Sequence, residues 1–248
     1  MDWGIYILLF LMGFGAFIVS TLTGGGGAML MVPLVNFFVS KEAVAPLVHL
    51  GNFIGRPSRI IIFWKHIRKD IVKAYTPMAI VGAFLGAWLF SSMRLEWLQI
   101  FLGIFLVSTL WQYRWGKRES SFPMKLSYFG PLGFGVSFLS SLIGATGAVL
   151  NPFYLNFGVT KEQLVATKAA NSFLVAIVQI ATYSKFGMLD GELWIYGLAI
   201  GLGATAGNFV GKRWLSRMPN QVFRFLVIGM MVISGVVILI QQYFALTS

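Results

Sequence analysis

Apolar residues in this chain come in long runs separated by short polar connections. The runs cover residues 4–22, 28–39, 43–63, 74–92, 95–113, 127–143, 148–158, 163–184, 193–211 and 221–244. Most approach the roughly 20 residues an α-helix needs to cross about 30 Å of hydrocarbon. Runs 28–39 and 148–158 are shorter, and at about 1.5 Å per residue each reaches about 16–18 Å, half a bilayer. Both directly follow a glycine cluster, Thr23-Gly24-Gly25-Gly26-Gly27 and Gly144-Ala145-Thr146-Gly147. The pattern predicts an all-α polytopic membrane protein of about 8–10 transmembrane helices, with two short Gly-led half-helices or re-entrant hairpins.

Composition supports lipid as the solvent. The chain is 57% apolar and only 11% charged, against roughly 25% charged in soluble domains. There are no cysteines, which excludes disulfides and thiolate metal sites, and nothing implies another metal or a cofactor. Met1-Asp2-Trp3-Gly4 lacks the basic start of a cleaved signal peptide, so the first run is expected to remain as a helix.

The net charge of +11 would suit a nucleic-acid partner, but its placement orients helices instead. Lys65, Arg68, Lys69 and Lys73, then Arg114, Lys117, Arg118 and Lys125, then Lys212, Arg213, Arg217 and Arg224 cluster in three connections. All three are expected on the cytoplasmic side of a bacterial inner membrane, with both termini periplasmic. The intervening loops carry mixed sets: Lys41 with Glu42, Arg94 with Glu96, and Lys185 with Asp190 and Glu192.

A shift of about 120 residues superimposes the halves. Gly13, Gly15, Gly24 and Gly27 fall on Gly133, Gly135, Gly144 and Gly147, and Asn36, Lys41 and Glu42 on Asn156, Lys161 and Glu162. One residue of slippage matches Pro33 with Pro152 and Asn52 with Asn171. The chain therefore divides into a first repeat, 1–113, a basic linker, 114–126, and a second repeat, 127–248. Five segments is an odd number, so the second copy enters the membrane inverted. Inverted repeats with interrupted helices are transporter architecture, with the substrate near the midplane between them.

The candidate chemistry is that of anion binding. Each glycine cluster precedes a short helix, so backbone N–H groups and the positive dipole end could cradle an anion; the plainer reading is close helix crossing. Thr23, Gly25, Gly26 and Gly27 form one candidate cradle, and Ala145, Thr146 and Gly147 the other. All eight carboxylates lie at termini, loops or segment ends, whereas His49, Arg56, Arg59 and Lys168 fall within apolar runs. A buried cation without a carboxylate partner invites an anion, although Arg59 and Lys168 lie near segment ends and could snorkel to headgroups. His49 reads either as a hydrogen-bonded core histidine or as a proton carrier. The amides of Asn52 and Asn171 can donate to an oxyanion or bridge helices. Gly82-x-x-x-Gly86 and Gly203-x-x-x-Gly207 read as packing surfaces.

Gly144-Ala145-Thr146-Gly147, Asn151-Pro152-Phe153-Tyr154-Leu155 and Val165-Ala166-Thr167-Lys168-Ala169-Ala170 resemble the second repeat of the sulfite exporter TauE/SafE family. Gly24 to Gly27 with Val32-Pro33-Leu34 is similar to its first motif, and Ser58-Arg59 with Phe63 and Ile67 to a pattern in some members. The resemblance implies a permease for sulfite, organosulfonates or related anions, usually exported. The expected function is thus secondary transport of small sulfur-containing oxyanions, with the lipid bilayer and a small anion as partners and H+ or Na+ as coupling-ion candidates. A passive channel and a carrier for a small carboxylate are the alternatives. The chain has no His-Glu-x-x-His, no Gly-x-Ser-x-Gly and no paired buried carboxylates, which argues against an enzyme.

Overall fold

The computed structural model describes residues 3–25, 27–90, 100, 103–108, 122–143 and 147–247, and every regular element among them is helical. In chain order they are α1 (Trp3–Leu22), α2 (Gly27–Val35), α3 (Lys41–Phe63), a 3-10 turn (Trp64–His66), α4 (Lys69–Phe90) and α5 (103–108). A 3-10 turn (Leu126–Tyr128) leads into α6 (Phe129–Ile143), α7 (Asn151–Asn156), α8 (Lys161–Lys185), α9 (Gly191–Arg217) and α10 (Asn220–Thr247). Five of these, α1, α4, α8, α9 and α10, are long and apolar enough to cross a membrane. The chain is an all-α polytopic membrane protein.

The Gly-led helices are shorter than their apolar runs suggested, nine residues in α2 and six in α7. Residues 36–39 and 147–150 turn instead. The first and sixth runs do not break at Gly13-Phe14-Gly15 or Gly133-Phe134-Gly135, since α1 and α6 run through both. Gly13 and Gly133 serve packing: a β-carbon there would sit 2.3 Å from Ile200 O and 2.5 Å from Tyr75 O.

Helices pair across the sequence midpoint. α1 packs on α9 and α4 on α6, while α3 and α8 contact each other. Small residues allow these approaches, because without a β-carbon two backbones can touch. A β-carbon on Gly203 or Gly207 would lie 2.0 Å from Phe10 O or 2.3 Å from Phe14 O; on Gly82 or Gly86 it would meet Phe134 O at 2.2 Å or Phe138 O at 2.4 Å. Both Gly-x-x-x-Gly stripes are thus packing surfaces.

The two described basic connections lie together at the start of α8. Arg68 N donates to Thr167 Oγ1 at 3.0 Å, and Lys161 Nζ donates to Met218 O. Arg68 also forks onto Asp70 (2.6 and 3.0 Å), which raises its pKa further above the ordinary guanidinium value. That pair is about one-third exposed, so solvent limits its contribution to stability.

Candidate functional site

Four polar residues of α3 follow helical spacing, His49, Asn52, Arg56 and Arg59, and so share one face. Lys168, Ser172 and Gln179 do the same on α8. His49, Asn52 and Arg56 meet Lys168, Ser172 and Gln179 around a cavity of about 50 Å³, closed by Tyr75 of α4, Ser137 and Ser140 of α6, and Gly147 and Leu150. One water needs only about 10–15 Å³ of such space, so the cavity has room for a small hydrated or desolvated ion. Among the described residues no carboxylate lines it.

Lys168 crosses between the two glycine turns. Its Nζ donates to Gly24 O of the first turn and to Gly147 O and Asn151 Oδ1 of the second. The turns meet here: a β-carbon on Gly25 would lie 2.6 Å from Lys168 Nζ and 3.1 Å from Gly147 O. Gly24 and Gly25 have φ of 64° and 124°, values glycine adopts without a side-chain clash. Asn151 Nδ2 reaches Thr23 O at 3.4 Å. Three neutral oxygens thus solvate an ammonium that would otherwise be costly to hold away from water.

Among the described residues this arrangement differs from the cradle expected at the glycine clusters. Carbonyl oxygens, not N–H groups, face the cation. The Gly25 N–H is used by Ser20 O (2.8 Å), and the Thr23 hydroxyl lies 2.8 Å from Val19 O and 2.7 Å from Gly25 O. Gly27 packs on α1, where its β-carbon would be 2.6 Å from Ala16 O. With six residues, α7 is too short to present an amide terminus of its own. Gly26, Ala145 and Thr146 lie outside the described residues.

Arg56 and Arg59 separate despite sharing a face. Arg56 Nη1 donates to Ser172 O (2.8 Å) beside the cavity. Arg59 does not line it. Its Nε and Nη2 donate to Asn208 Oδ1 at 3.0 and 2.7 Å, Nη2 also reaches Thr21 Oγ1 at 3.0 Å, and the guanidinium lies over the Phe17 ring. Asn208 Nδ2 in turn donates to Gly55 O and Ser58 Oγ. Neutral groups of α1, α3 and α9 thereby absorb Arg59, which accounts for its burial without a carboxylate. Asn171, also off the cavity lining, donates to Tyr154 OH at 2.9 Å.

The sequence reading passed over Tyr75, Ser137, Ser140, Asn151, Ser172 and Gln179. Gln179 and the serines are polar interruptions of apolar runs, a signal weaker than charge. The slippage that matches Asn52 with Asn171 also matches His49 with Lys168, a pairing that marks both cavity walls.

A bundle of membrane-crossing helices around a buried, carboxylate-free cationic cavity has the build of a membrane transporter. The sequence profile described as sulfite exporter TauE/SafE matches residues 9–238, and the chain belongs to that family. No curated protein and no solved structure gives a match to the chain.

Proposed function

We propose that the chain is a secondary transporter that exports small sulfur-containing oxyanions such as sulfite or organosulfonates, binding them in the α3–α8 cavity. The observation that carries this is a cavity walled by Arg56 and Lys168 with no carboxylate among the described residues to neutralise them. An entering anion supplies the missing charge, and Arg56 offers N–H donors beyond the one used by Ser172 O. Asn52, Ser137, Ser140 and Tyr75 then replace water around the oxygens. Lys168 adjoins the cavity and can turn from the carbonyls to the anion.

The halves 1–113 and 127–248 act in this reading as inverted repeats, and the crosswise packing of α1 on α9 and α4 on α6 supports it. Alternating access then follows from rocking one repeat against the other. The test is uptake into proteoliposomes of sulfite, sulfate, thiosulfate, methanesulfonate and acetate. Saturable counterflow of a sulfur oxyanion is the expected result. Non-saturable flux would indicate a channel, acetate preference a carboxylate carrier, and no flux of any anion would end the reading.

A further inference from the structure

His49 is 2% exposed, lines the cavity, and has one ring nitrogen committed. Its Nε2 lies 2.9 Å from Ser140 O. A carbonyl oxygen only accepts, so in the neutral ring Nε2 carries the hydrogen and Nδ1 is a bare lone pair. That Nδ1 is buried and has no partner. Leaving a buried acceptor unmatched is costly, and here the cost falls beside the proposed anion site.

The ring's charged and titratable neighbours narrow what can fill the gap. Arg56 follows on α3, Tyr75 faces from α4, Lys168 and Tyr183 from α8 (the Tyr183 ring 5.9 Å away), and α6 contributes neutral Ser137 and Ser140. Arg56 and Lys168 repel a metal cation from this place, whereas the arriving anion lowers the cost of a proton on Nδ1.

We infer that His49 is the proton site of this transporter, so that each oxyanion crosses together with one proton held on Nδ1. The inference rests on the anion-carrier reading above. The proton comes from water on the loading side, the Nδ1 lone pair binds it to give an imidazolium, and water on the far side takes it back. Anion and proton together move no net charge, so export in this reading runs down the anion's own gradient and draws nothing from the membrane potential. The bond to Ser140 O survives protonation, so the ring need not turn.

The test uses the full chain in proteoliposomes with methanesulfonate, which stays ionised across the working pH range, so that any co-moving proton must ride on the protein. Sulfite serves as the second probe. Wild-type protein should accumulate methanesulfonate about tenfold per unit of pH gradient on the alkaline side, insensitively to membrane potential. His49→Gln keeps a donor for Ser140 O without a titrating nitrogen, so whatever flux it supports should no longer respond to the pH gradient. Flux indifferent to the gradient in wild type, or equal gradient drive in His49→Gln, would overturn the proton role and leave the carrier standing. No flux at all would remove the carrier and the proton role together.

A second measurement needs no variant of His49. The chain has two histidines, and His66 is exposed in the 3-10 turn, so a His66→Asn sample assigns both in nitrogen spectra. Saturating sulfite should shift the His49 Nδ1 resonance from the bare to the protonated position. An unchanged resonance with sulfite bound would overturn the inference.

Discussion

Arg56 and Arg59 sit nearly one turn apart on the same helix and illustrate what decides a residue's role. Replacing Arg56 by Gln removes charge-assisted hydrogen bonds worth about 1.5–3 kcal/mol, so KM for the transported anion should rise about ten- to hundredfold with little change in melting temperature. Replacing Arg59 by Ala removes its charge-assisted hydrogen bonds to Asn208 Oδ1 and Thr21 Oγ1, worth about 1.5–3 kcal/mol, and leaves those two groups only each other and Phe17 O. The folded protein should then melt earlier while keeping its KM. A raised KM for Arg59→Ala, or an unchanged one for Arg56→Gln, would reverse these assignments. Helical spacing made the shared face legible. It could not separate the two arginines, because the residue that claims Arg59 is Asn208, six helices further along the chain. The backbone of Gly24 was equally opaque: whether its N–H or its carbonyl faces inward depends on a φ of 64°, which a run of glycines permits but does not specify.

At the scale of elements, glycine spacing was the most readable signal, because close helix crossing needs small residues at fixed intervals. The two Gly-x-x-x-Gly stripes fall where α9 meets α1 and α4 meets α6. Adding a methyl group at Gly203 forces α1 and α9 apart, since the β-carbon would lie 2.0 Å from Phe10 O. Gly203→Ala should therefore destabilise by about 1–3 kcal/mol, the cost of overpacking. Gly15, with nothing within 4 Å of a β-carbon, is the control: Gly15→Ala should leave the melting temperature in detergent unchanged or slightly raised, as expected for alanine in a helix. Equal losses at both positions would mean that α1 and α9 do not pack as described. The short Gly-led segments were less legible. Apolar runs continue through residues 36–39 and 147–150, yet the chain turns there, because an apolar turn, whether buried as at 148–150 or partly exposed as at 36–39, reads the same as an apolar helix.

Across the whole molecule, charge distribution and packing point to one orientation. The connections holding Lys65 to Lys73 and Lys212 to Arg224 converge on the start of α8 through Thr167 and Met218. The Tyr6 and Tyr196 rings, 5.9 Å apart, bring the starts of α1 and α9 together. Since α8 and α9 are joined by residues 186–190, that second meeting point lies at the other end of the bundle. Lysine and arginine are retained on the cytoplasmic side during insertion, so the end with Lys65 and Arg213 should face the cytoplasm and the end with Lys185 the periplasm. The absence of cysteine allows single exposed positions to be labelled without background. In spheroplasts of a bacterial host, a membrane-impermeant maleimide should react with Lys185→Cys and leave Lys65→Cys and Arg213→Cys unlabelled until the membrane is opened. Labelling of all three in sealed spheroplasts would contradict a sealed bundle with two faces. Labelling of Lys65→Cys and Arg213→Cys but not Lys185→Cys would invert the protein, putting Lys168, near the start of α8, on the periplasmic side of the cavity and His49 on the cytoplasmic side.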